Sequence, residues 1–411
     1  MFRIWIYLNF KFFFKSICKF GTITECKKFI KDCLKKQSKK KNVLLFSQCR
    51  VAFYFILKFL IQKTKKKEVI ICAYNLPEMI NIIQNLNLKI KFCDLNQKTS
   101  SIDISHIKEN ISKNTLAVVI TNIFNNYNDT KKIRNLAKKY KIPVIEDNAI
   151  YFDNFTTINN KKYYAGSLGD FSIYSFNIMK NISSFYGGAA ATNNKDFKKF
   201  YENEEKNLKT FSHTALIRQI LIFFILKIMS VNIFYKYIIR YLVKVVHELK
   251  IKFLLEMFYP SLKKIDQKFP KYYFSKISEI SLRATYLQLK DKKKRKELFF
   301  SRKNKHRFYK KKFSILKKKN FNFIKTDDEN YQNFLDFPLL VKNKNKLNKY
   351  LLKNGIEVRF KHYYNCAKMF KSSRICPNAE RYERELVCFP THFNIKYSYI
   401  NFIANKMNKY F

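Results

Sequence analysis

The chain of 411 residues is long enough for two or three domains, and its 47% hydrophobic and 17% aromatic residues exclude a disordered protein. The formal net charge is +52, yet only 13 of the 82 basic residues are arginine. Arginine is the residue that binds phosphate bidentately, and the lysines are scattered, so compositional drift is favoured over a membrane-surface or nucleic-acid partner. We therefore expect no nucleic acid to bind.

Cysteine and histidine spacing bears on the cellular compartment and on metal binding. The nine cysteines form no C-x-x-C pair and no regular framework, which in a chain of this length predicts reduced thiols and a cytoplasmic protein. The six histidines contain no H-x-x-x-H pattern, so we expect no metal site.

The first twenty residues are apolar and aromatic but are interrupted by Arg3, Lys11, Lys15 and Lys19. They contain neither an unbroken apolar stretch nor a small-residue cleavage site, so a signal peptide is not expected. We predict an interfacial helix here, within an amphipathic N-terminal segment formed by residues 1–40.

Residues 41–205 alternate between β-like and helical stretches, which predicts an α/β domain. Predicted strands lie at 43–46, 68–73, 90–93, 116–120, 143–145, 171–176 and 188–192. Predicted helices lie at 51–61, 77–86 and 129–140, the last with Asp129 or Thr130 as its N-cap. Residues 116–145 form a βαβ unit, which predicts a parallel sheet with a right-handed crossover.

Residues 206–262 are apolar but basic throughout and interrupt this pattern. Charged residues leave no uncharged run longer than eight residues, whereas a transmembrane helix needs roughly 20. On a helix, Lys236, Arg240, Lys244 and His247 share one face opposite an apolar face, which is typical of a helix lying in a membrane surface. The alternative is a buried helix pair with a charged outer face.

Residues 263–411 are predicted to contain a connecting helix and a smaller α+β domain. After Pro270 the chain is predicted helical to about residue 319. A strand at 336–341, a helix at 344–354 with Gly355 as its C-cap, a strand at 356–360 and a terminal helix at 397–410 are predicted to follow.

Glycine is the most informative residue type, because four of the six glycines fall between residues 166 and 188, around Lys180. In a chain so poor in glycine, this cluster indicates backbone that takes positive φ or approaches another group closely. Just upstream, the βαβ unit places Asp147 at the carboxyl end of a strand, where open α/β sheets bind ligands. Pyridoxal phosphate requires a lysine for its Schiff base and a carboxylate for its pyridine nitrogen, so Lys180 and Asp147 are candidates.

These segments resemble the DegT/StrS family of sugar aminotransferases, from about residue 42 to the C-terminus and without residues 206–262. Residues 144–150 are similar to the family's V-I-E-D-x-A-Q segment. Residues 166–189 are similar to its G-S-x-G-D…S-F-x-x-x-K-N…G-G-A motif, and residues 355–359 to its G-I-E-x-R strand.

The resemblance implies a role for each matching residue. Lys180 would be the catalytic Schiff-base lysine, Asp147 the partner of the pyridine nitrogen, and Ser175 a phosphate-contacting hydroxyl. Backbone donors at Cys49 and Arg50 would open the phosphate-binding helix. Glu146 is interpreted as a supporting residue, and His392 as structural.

The resemblance also implies the fold and the activity. The fold would be α/β of the type I pyridoxal-phosphate transferase class, with a mostly parallel sheet in a large domain and a smaller C-terminal α+β domain. The protein would be a homodimeric aminotransferase that uses glutamate to aminate a keto-sugar nucleotide for surface polysaccharide or lipopolysaccharide. We expect it in the cytoplasm, with peripheral contact to an anionic inner membrane surface as a further prediction.

Four departures from the family pattern leave an alternative open. The glycine that usually opens the phosphate helix is replaced at Cys49, and the glutamine near the cofactor hydroxyl is replaced by Ile150. The ring-stacking aromatic is replaced by Leu76, with Tyr74 as a possible substitute, and the asparagine reaching from the partner subunit falls near Phe274. The alternative function is a catalytically degenerate, membrane-associated scaffold of the same fold.

Overall fold

A mostly parallel sheet forms the centre of the large domain. The computed structural model describes residues 2–249, 251, 270–316, 320–324 and 334–411. Its first ten strands are β1 (Asn42–Phe46), β2 (Glu68–Cys72), β3 (Tyr74–Asn75), β4 (Lys89–Cys93), β5 (Thr115–Thr121), β6 (Val144–Asp147), β7 (Phe155–Ile158), β8 (Lys161–Tyr164), β9 (Phe171–Ser175) and β10 (Gly188–Thr192). Seven of these pair in the order β1-β10-β9-β6-β5-β2-β4. β10 is antiparallel to β1 and β9, and the other four pairings are parallel.

Helices cover both faces of this sheet. They are α1 (Phe10–Ile17), α2 (Ile23–Ser38), α3 (Cys49–Lys63), α4 (Pro77–Asn85), α5 (Ile104–Asn110), α6 (Tyr127–Lys139) and α7 (Lys195–Lys206). Strand β1 shows the alternation that divides the core, because Leu44 and Phe46 pack with α3 and α4 while Val43 and Leu45 pack with α2. The predicted α/β class with a mostly parallel sheet is therefore confirmed.

The βαβ unit is confirmed, with β5 and β6 as parallel neighbours joined by α6. The predicted cap was wrong. The helix begins at Tyr127, and Asn126 is its N-cap, accepting a hydrogen bond from the amide of Asp129 at 2.8 Å. Asn126 is the N-cap because its short side chain reaches the backbone N–H of the third helical residue. Asp129 and Thr130 already lie inside the first turn.

A three-stranded antiparallel sheet forms the centre of the small domain. Its strands β11 (Phe321–Phe323), β12 (Asp336–Val341) and β14 (Leu386–Pro390) pair in that order. A two-residue strand, β13 (Tyr364–Asn365), instead pairs with β3 of the large domain. Helices of this half are α11 (Glu279–Lys290), α12 (Lys292–Ser314), α13 (Lys344–Lys353), α14 (Cys366–Met369), α15 (Pro377–Glu385) and α16 (Tyr397–Tyr410).

Two predictions in this half were wrong. Residues 356–360 do not form a strand. Of these residues, only Arg359 makes a β-bridge, with Cys388. Ile356 and Val358 fill the small-domain core, while Glu357 is drawn into a buried ion pair. The predicted continuous helix after Pro270 is a 3₁₀ turn (Lys271–Tyr273), an irregular stretch, and then α11 and α12. Residues 317–319 of that prediction lie outside the described residues.

Residues 2–8, here called the N-terminal strap, are extended rather than helical, which corrects the predicted interfacial helix. Among residues 2–20, only residues 10–17 form a helix, α1. Apolar side chains of the strap at positions 2, 4, 6 and 8 are all buried, and this two-residue period suits an extended chain and not a helix. Trp5 stacks on His392 with ring centroids 5.7 Å apart, and Nε2 of His392 lies 3.0 Å from the carbonyl oxygen of Phe2. His392 therefore has the structural role expected for it.

Most of the described part of the segment 206–262 is helical, from residue 213 onward. Helix α8 (His213–Met229) is followed by α9 (Asn232–Phe234), which runs through a π-helical turn (Tyr235–Ile239) into α10 (Arg240–Glu248). Within the described ranges no helix is by itself long and apolar enough to cross a membrane. The stretches 213–229 and 232–246 pass such a test only when joined, and they meet at an angle of 72°. Residues 252–262 lie outside the description.

Candidate active site

Asp147 ends strand β6 at the carboxyl edge of the central sheet. Its side chain is buried, and Oδ1 accepts a hydrogen bond from the amide of Ala149 at 3.0 Å. Burial raises the pKa of Asp147, while the Ala149 amide and the charge of Lys180 act in the opposite direction. This carboxylate and Lys180 therefore share one electrostatic environment.

Lys180 lies in the loop between β9 and β10. Burial lowers the pKa of Lys180 from 10.5 to about 8, and the cations Arg359 and Arg50 act in the same direction. Asp147 and Cys49 oppose this shift. A lysine with this pKa has a substantial neutral fraction near neutral pH, and a neutral amine is the form that attacks carbonyl groups.

The start of α3 approaches the sheet unusually closely. Its N-cap, Gln48, makes no side-chain hydrogen bond to the helix, so the amides of Cys49 and Arg50 have no side-chain cap. A Cβ on Gly188 would lie 2.3 Å from the Cys49 amide nitrogen and 2.4 Å from the Gln48 carbonyl carbon, so this approach requires glycine. Ser175 is buried and lies opposite Gly188 in the β9–β10 register. Helix amides and a hydroxyl group are a donor set that suits a phosphate.

Cys49 and Arg50, the first two residues of α3, have side chains that are not available to bind a phosphate. Nη1 of Arg50 lies 3.5 Å from Oε1 of Glu78 and donates to the hydroxyl of Tyr273 at 3.4 Å. Burial raises the pKa of Cys49 well above its usual value, so its thiol stays protonated. Cys49 and Arg50 are therefore better suited to contribute amides than side chains.

Glu146 organises the glycine-containing loop next to the site. Its buried carboxylate accepts hydrogen bonds from the amides of Gly166 at 2.9 Å, Leu168 at 2.7 Å, and Gly169. Burial raises the pKa of Glu146, and these amides act against the rise. Gly166 has φ +88°, and a Cβ there would meet the Tyr174 hydroxyl. Glu146 is thus a supporting residue, as the sequence indicated.

His362 and Tyr363, from the small-domain half, also interact electrostatically with Lys180 and Asp147. The sequence analysis did not identify either residue. The ring of His362 stacks on Phe124 with centroids 6.4 Å apart, and its Nδ1 has no hydrogen-bond partner among the described residues. Burial lowers the pKa of His362 well below its usual value, and Arg359 and Lys180 add to this effect. Burial raises the pKa of Tyr363, and the nearby Asp147 charge adds to that. Their position three and four residues after the G-I-E-V-R segment was the available sequence signal.

The side chains at three of the positions that depart from the family pattern, and Tyr74, make structural contacts. Tyr74 is fully buried and accepts a hydrogen bond from the Tyr363 amide at 3.4 Å, so it belongs to the contact between the domains. Leu76 is the N-cap residue of α4, and Ile150 is buried in a small cluster with Tyr127 and Tyr151. Phe274 packs edge-on against Tyr54 of α3, with centroids 4.9 Å apart.

Comparison with solved structures defines the fold class. Over all of this chain and 99% of the other, the fold is similar to that of a sugar aminotransferase from Micromonospora echinospora, with a TM-score of 0.72 and 12% identity. It is also similar to GDP-4-keto-6-deoxy-D-mannose-3-dehydratase from Escherichia coli, solved with hydrated pyridoxal phosphate. That TM-score is 0.70, with 18% identity and coverage of 98% and 97%. The chain therefore shares the α/β fold of these two enzymes.

Sequence comparison finds a family match over part of the chain. The sequence model of the DegT/DnrJ/EryC1/StrS aminotransferase family matches residues 22–209 of this chain. It is 31% identical over 135 residues to a UDP-4-amino-4,6-dideoxy-N-acetyl-beta-L-altrosamine transaminase of Campylobacter jejuni, covering 32% of this chain and 35% of that protein. It is 30% identical over 128 residues to a GDP-perosamine synthase of Escherichia coli O157:H7, covering 31% and 34%. The matched regions thus span about a third of these curated relatives.

Proposed function

We propose that the protein is a pyridoxal-phosphate-dependent aminotransferase that acts on a keto-sugar nucleotide. One observation carries the proposal. Lys180, with its pKa lowered to about 8, shares a buried environment with the strand-end carboxylate Asp147, inside the segment that matches the aminotransferase family. An amine that is partly neutral next to a fixed carboxylate is the pair that this cofactor requires.

The residues present fit the cofactor. Asp147 would hold the protonated pyridine nitrogen, Lys180 would bind the aldehyde carbon covalently, and the amides of Cys49 and Arg50 with the Ser175 hydroxyl would bind the phosphate. The close approach permitted by Gly188 brings the last three groups to one edge of the sheet. When bound, pyridoxal phosphate supplies an electron sink for the carbon that loses a proton.

The chain's own residues would then carry the proton. Once its amine is displaced by the amino donor, Nζ of Lys180 would take the proton from the donor carbon that bears nitrogen and pass it to the aldehyde carbon of the cofactor. In the second half-reaction Nζ would move a proton in the reverse direction, to the sugar carbon that receives the nitrogen. A pKa of about 8 suits this task, because the amine can both accept and release a proton near neutral pH. Asp147 would accept a hydrogen bond from the ring nitrogen and would thereby fix the orientation of the ring.

The names of relatives support the substrate class. The C. jejuni transaminase and the E. coli perosamine synthase act on nucleotide-linked sugars by their names. A structure of the E. coli dehydratase contains a trapped adduct of pyridoxal phosphate and glutamate, which supports glutamate as amino donor. We further propose a homodimer in the cytoplasm, with amino-sugar synthesis for surface polysaccharide or lipopolysaccharide as the physiological role.

Cofactor binding by the full-length protein tests the proposal. We expect a visible absorbance band with pyridoxal phosphate that changes on adding glutamate, and a borohydride-trapped adduct that mass spectrometry assigns to Lys180. Lys180→Ala should abolish the adduct, whereas Lys199→Ala, at an exposed lysine, should leave it unchanged. A colourless protein that forms no adduct would contradict the proposal.

A catalytically degenerate scaffold is the second candidate. The apolar Ile150 and the packing of Phe274 against Tyr54 favour it, because both positions have lost polar side chains that the family uses. The two candidates differ in one result. Transfer of an amino group from glutamate to any keto-sugar nucleotide would exclude the scaffold.

A further inference from the structure

We propose that α1, α8, α9 and α10 together form one membrane-docking surface that rests on an anionic lipid leaflet without crossing it. The sequence suggested two unrelated amphipathic stretches, one at the N-terminus and one at 206–262. The structure joins them through direct aromatic contacts. Phe13 of α1 stacks on Phe223 of α8 with ring centroids 5.1 Å apart, and Phe10 lies 6.0 Å from Phe224.

These contacts use one side of each helix and leave a second apolar side exposed. On α1, Phe10, Phe14 and Ile17 are each at least 43% exposed, at spacings of four and three residues that place them on one face. The buried positions of the same helix are Phe13 and Ser16. A helix that is apolar on both its inner and outer faces is typical of a membrane surface or a deep core, and α1 is not in a core.

Helix α8 repeats this arrangement on a larger scale. Ile217, Leu221, Ile225 and Ile228 are exposed and follow one face of the helix, while Phe223 and Leu226 are buried. The exposed face contains large aliphatic side chains at every turn. Such a continuous apolar stripe on the outside of a soluble domain is a binding surface.

The π-helical turn extends the surface into α10. Tyr235 and Val243 face inward, and the ring of Tyr235 lies 6.1 Å from that of Phe2 in the N-terminal strap. Ile238 within the turn, and Tyr241 and Leu242 after it, are exposed. Lys236, Arg240 and Lys244 follow one another at a spacing of four residues, with Lys236 exposed and the other two half-buried.

Charge identifies the partner. Residues 1–24 and 206–247 contain no aspartate or glutamate at all, whereas lysines and arginines recur in both. A mixed apolar and cationic surface matches an anionic leaflet, since the apolar side chains enter the boundary between headgroups and acyl chains, and the cations bind the lipid phosphates. A second copy of the chain fits poorly, because a two-fold interface would bring together the same lysine-containing helices, in which Glu248 at the end of α10 is the one acidic residue.

Vesicle binding by the full-length protein tests this surface. We expect the wild type to co-sediment with vesicles that contain phosphatidylglycerol and to bind pure phosphatidylcholine vesicles at least tenfold more weakly. The triple variant Ile217→Gln/Leu221→Gln/Ile225→Gln should lose at least tenfold in partitioning. A matched control, Tyr140→Gln/Ile315→Gln/Ile375→Gln, removes three equally exposed apolar side chains elsewhere and should bind as the wild type does.

Two further measurements keep the proposal falsifiable. Lys11→Gln/Lys19→Gln alters only exposed cations and should weaken binding to phosphatidylglycerol without changing the far-ultraviolet circular dichroism. Molar mass by light scattering in detergent should be the same for the wild type and the triple glutamine variant. Unchanged vesicle binding by both variants would overturn the proposal. Halving of the molar mass without any vesicle binding would show that a second copy covers the surface instead.

Discussion

Arg3 and Glu357 form a buried ion pair although 354 residues separate them in the sequence. Nε of Arg3 lies 3.1 Å from Oε1 of Glu357, and the Arg3 amide donates to Oε2 at 3.3 Å. Burial raises the pKa of Glu357, and Arg3 counteracts that rise. The pair thus fastens the N-terminal strap to the small domain, next to the segment that carries Arg359 and His362.

Replacing one partner of this ion pair should lower the free energy of unfolding more than replacing both partners. Arg3→Met leaves a buried carboxylate without compensation and should lower the free energy of unfolding by about 3–5 kcal/mol, while Arg3→Met/Glu357→Met should recover most of the loss. Without Arg3 the pKa of Glu357 rises further, so the deficit should grow as pH rises through that value. Urea unfolding of the three proteins on both sides of neutrality measures this. Equal losses in the single and double variants would contradict it.

Reactivity of Lys180 should follow its lowered pKa. The rate at which an amine-specific reagent labels Lys180, mapped by mass spectrometry, should rise with pH around a midpoint near 8 and not near 10.5. Asp147→Asn removes a charge that raises this pKa, so the midpoint should fall. Arg359→Gln removes a charge that lowers the pKa, so the midpoint should rise. Shifts of the same sign in both variants would refute the assignment.

Gly188→Ala should damage the cofactor site, whereas Gly355→Ala should not. At Gly188 the added Cβ would lie 2.3 Å from the Cys49 amide nitrogen, which forces α3 away from the sheet at a cost of about 1–3 kcal/mol. At Gly355, with φ +72°, only backbone strain of about 1–2 kcal/mol applies. Stability should therefore fall in both variants. Affinity for pyridoxal phosphate, measured by absorbance titration, should fall by about tenfold or more in Gly188→Ala alone.

Glu146→Gln should loosen the loop that Glu146 holds. Its carboxylate accepts from three backbone amides, and a glutamine replaces one acceptor oxygen with a donor that faces Gly166 or Gly169. We expect a loss of about 2–3 kcal/mol in the free energy of unfolding. Glu202→Gln, at an exposed glutamate, is the matched control and should change stability by less than about 0.5 kcal/mol. Equal unfolding curves for the two variants would show that the loop does not depend on this carboxylate.

Local periodicity predicted most of the elements. Strand 336–341 and helix 397–410 were placed to the residue, and the strands of the large sheet to within one or two residues, because buried strands and amphipathic helices repeat at fixed periods. The strap was misassigned because its two-residue alternation runs directly into the aromatic residues of α1. Residues 356–360 have the composition of a strand, but their local sequence does not reveal that Glu357 forms an ion pair with the distant Arg3.

The candidate site was predictable only in part, because some of its residues are brought together by contacts between distant parts of the chain. Lys180 and Asp147 lie in segments with recognisable spacing, and the structure brings them into one electrostatic environment. His362 and Tyr363 reach it through long-range contacts, such as the hydrogen bond from the Tyr363 amide to Tyr74. No local pattern encodes such a contact, because it depends on how two domains meet.

The pairing of β3 with β13 has a consequence for biosynthesis. Tyr74 and Asn75 find their strand partners only at Tyr364 and Asn365, so this edge of the site has very high contact order. A nascent chain on the ribosome can form the central sheet early, but it cannot enclose Lys180 until most of the polypeptide has been synthesised. Cofactor capture would therefore mark the end of folding, and prematurely terminated chains would carry the lysine without being able to use it.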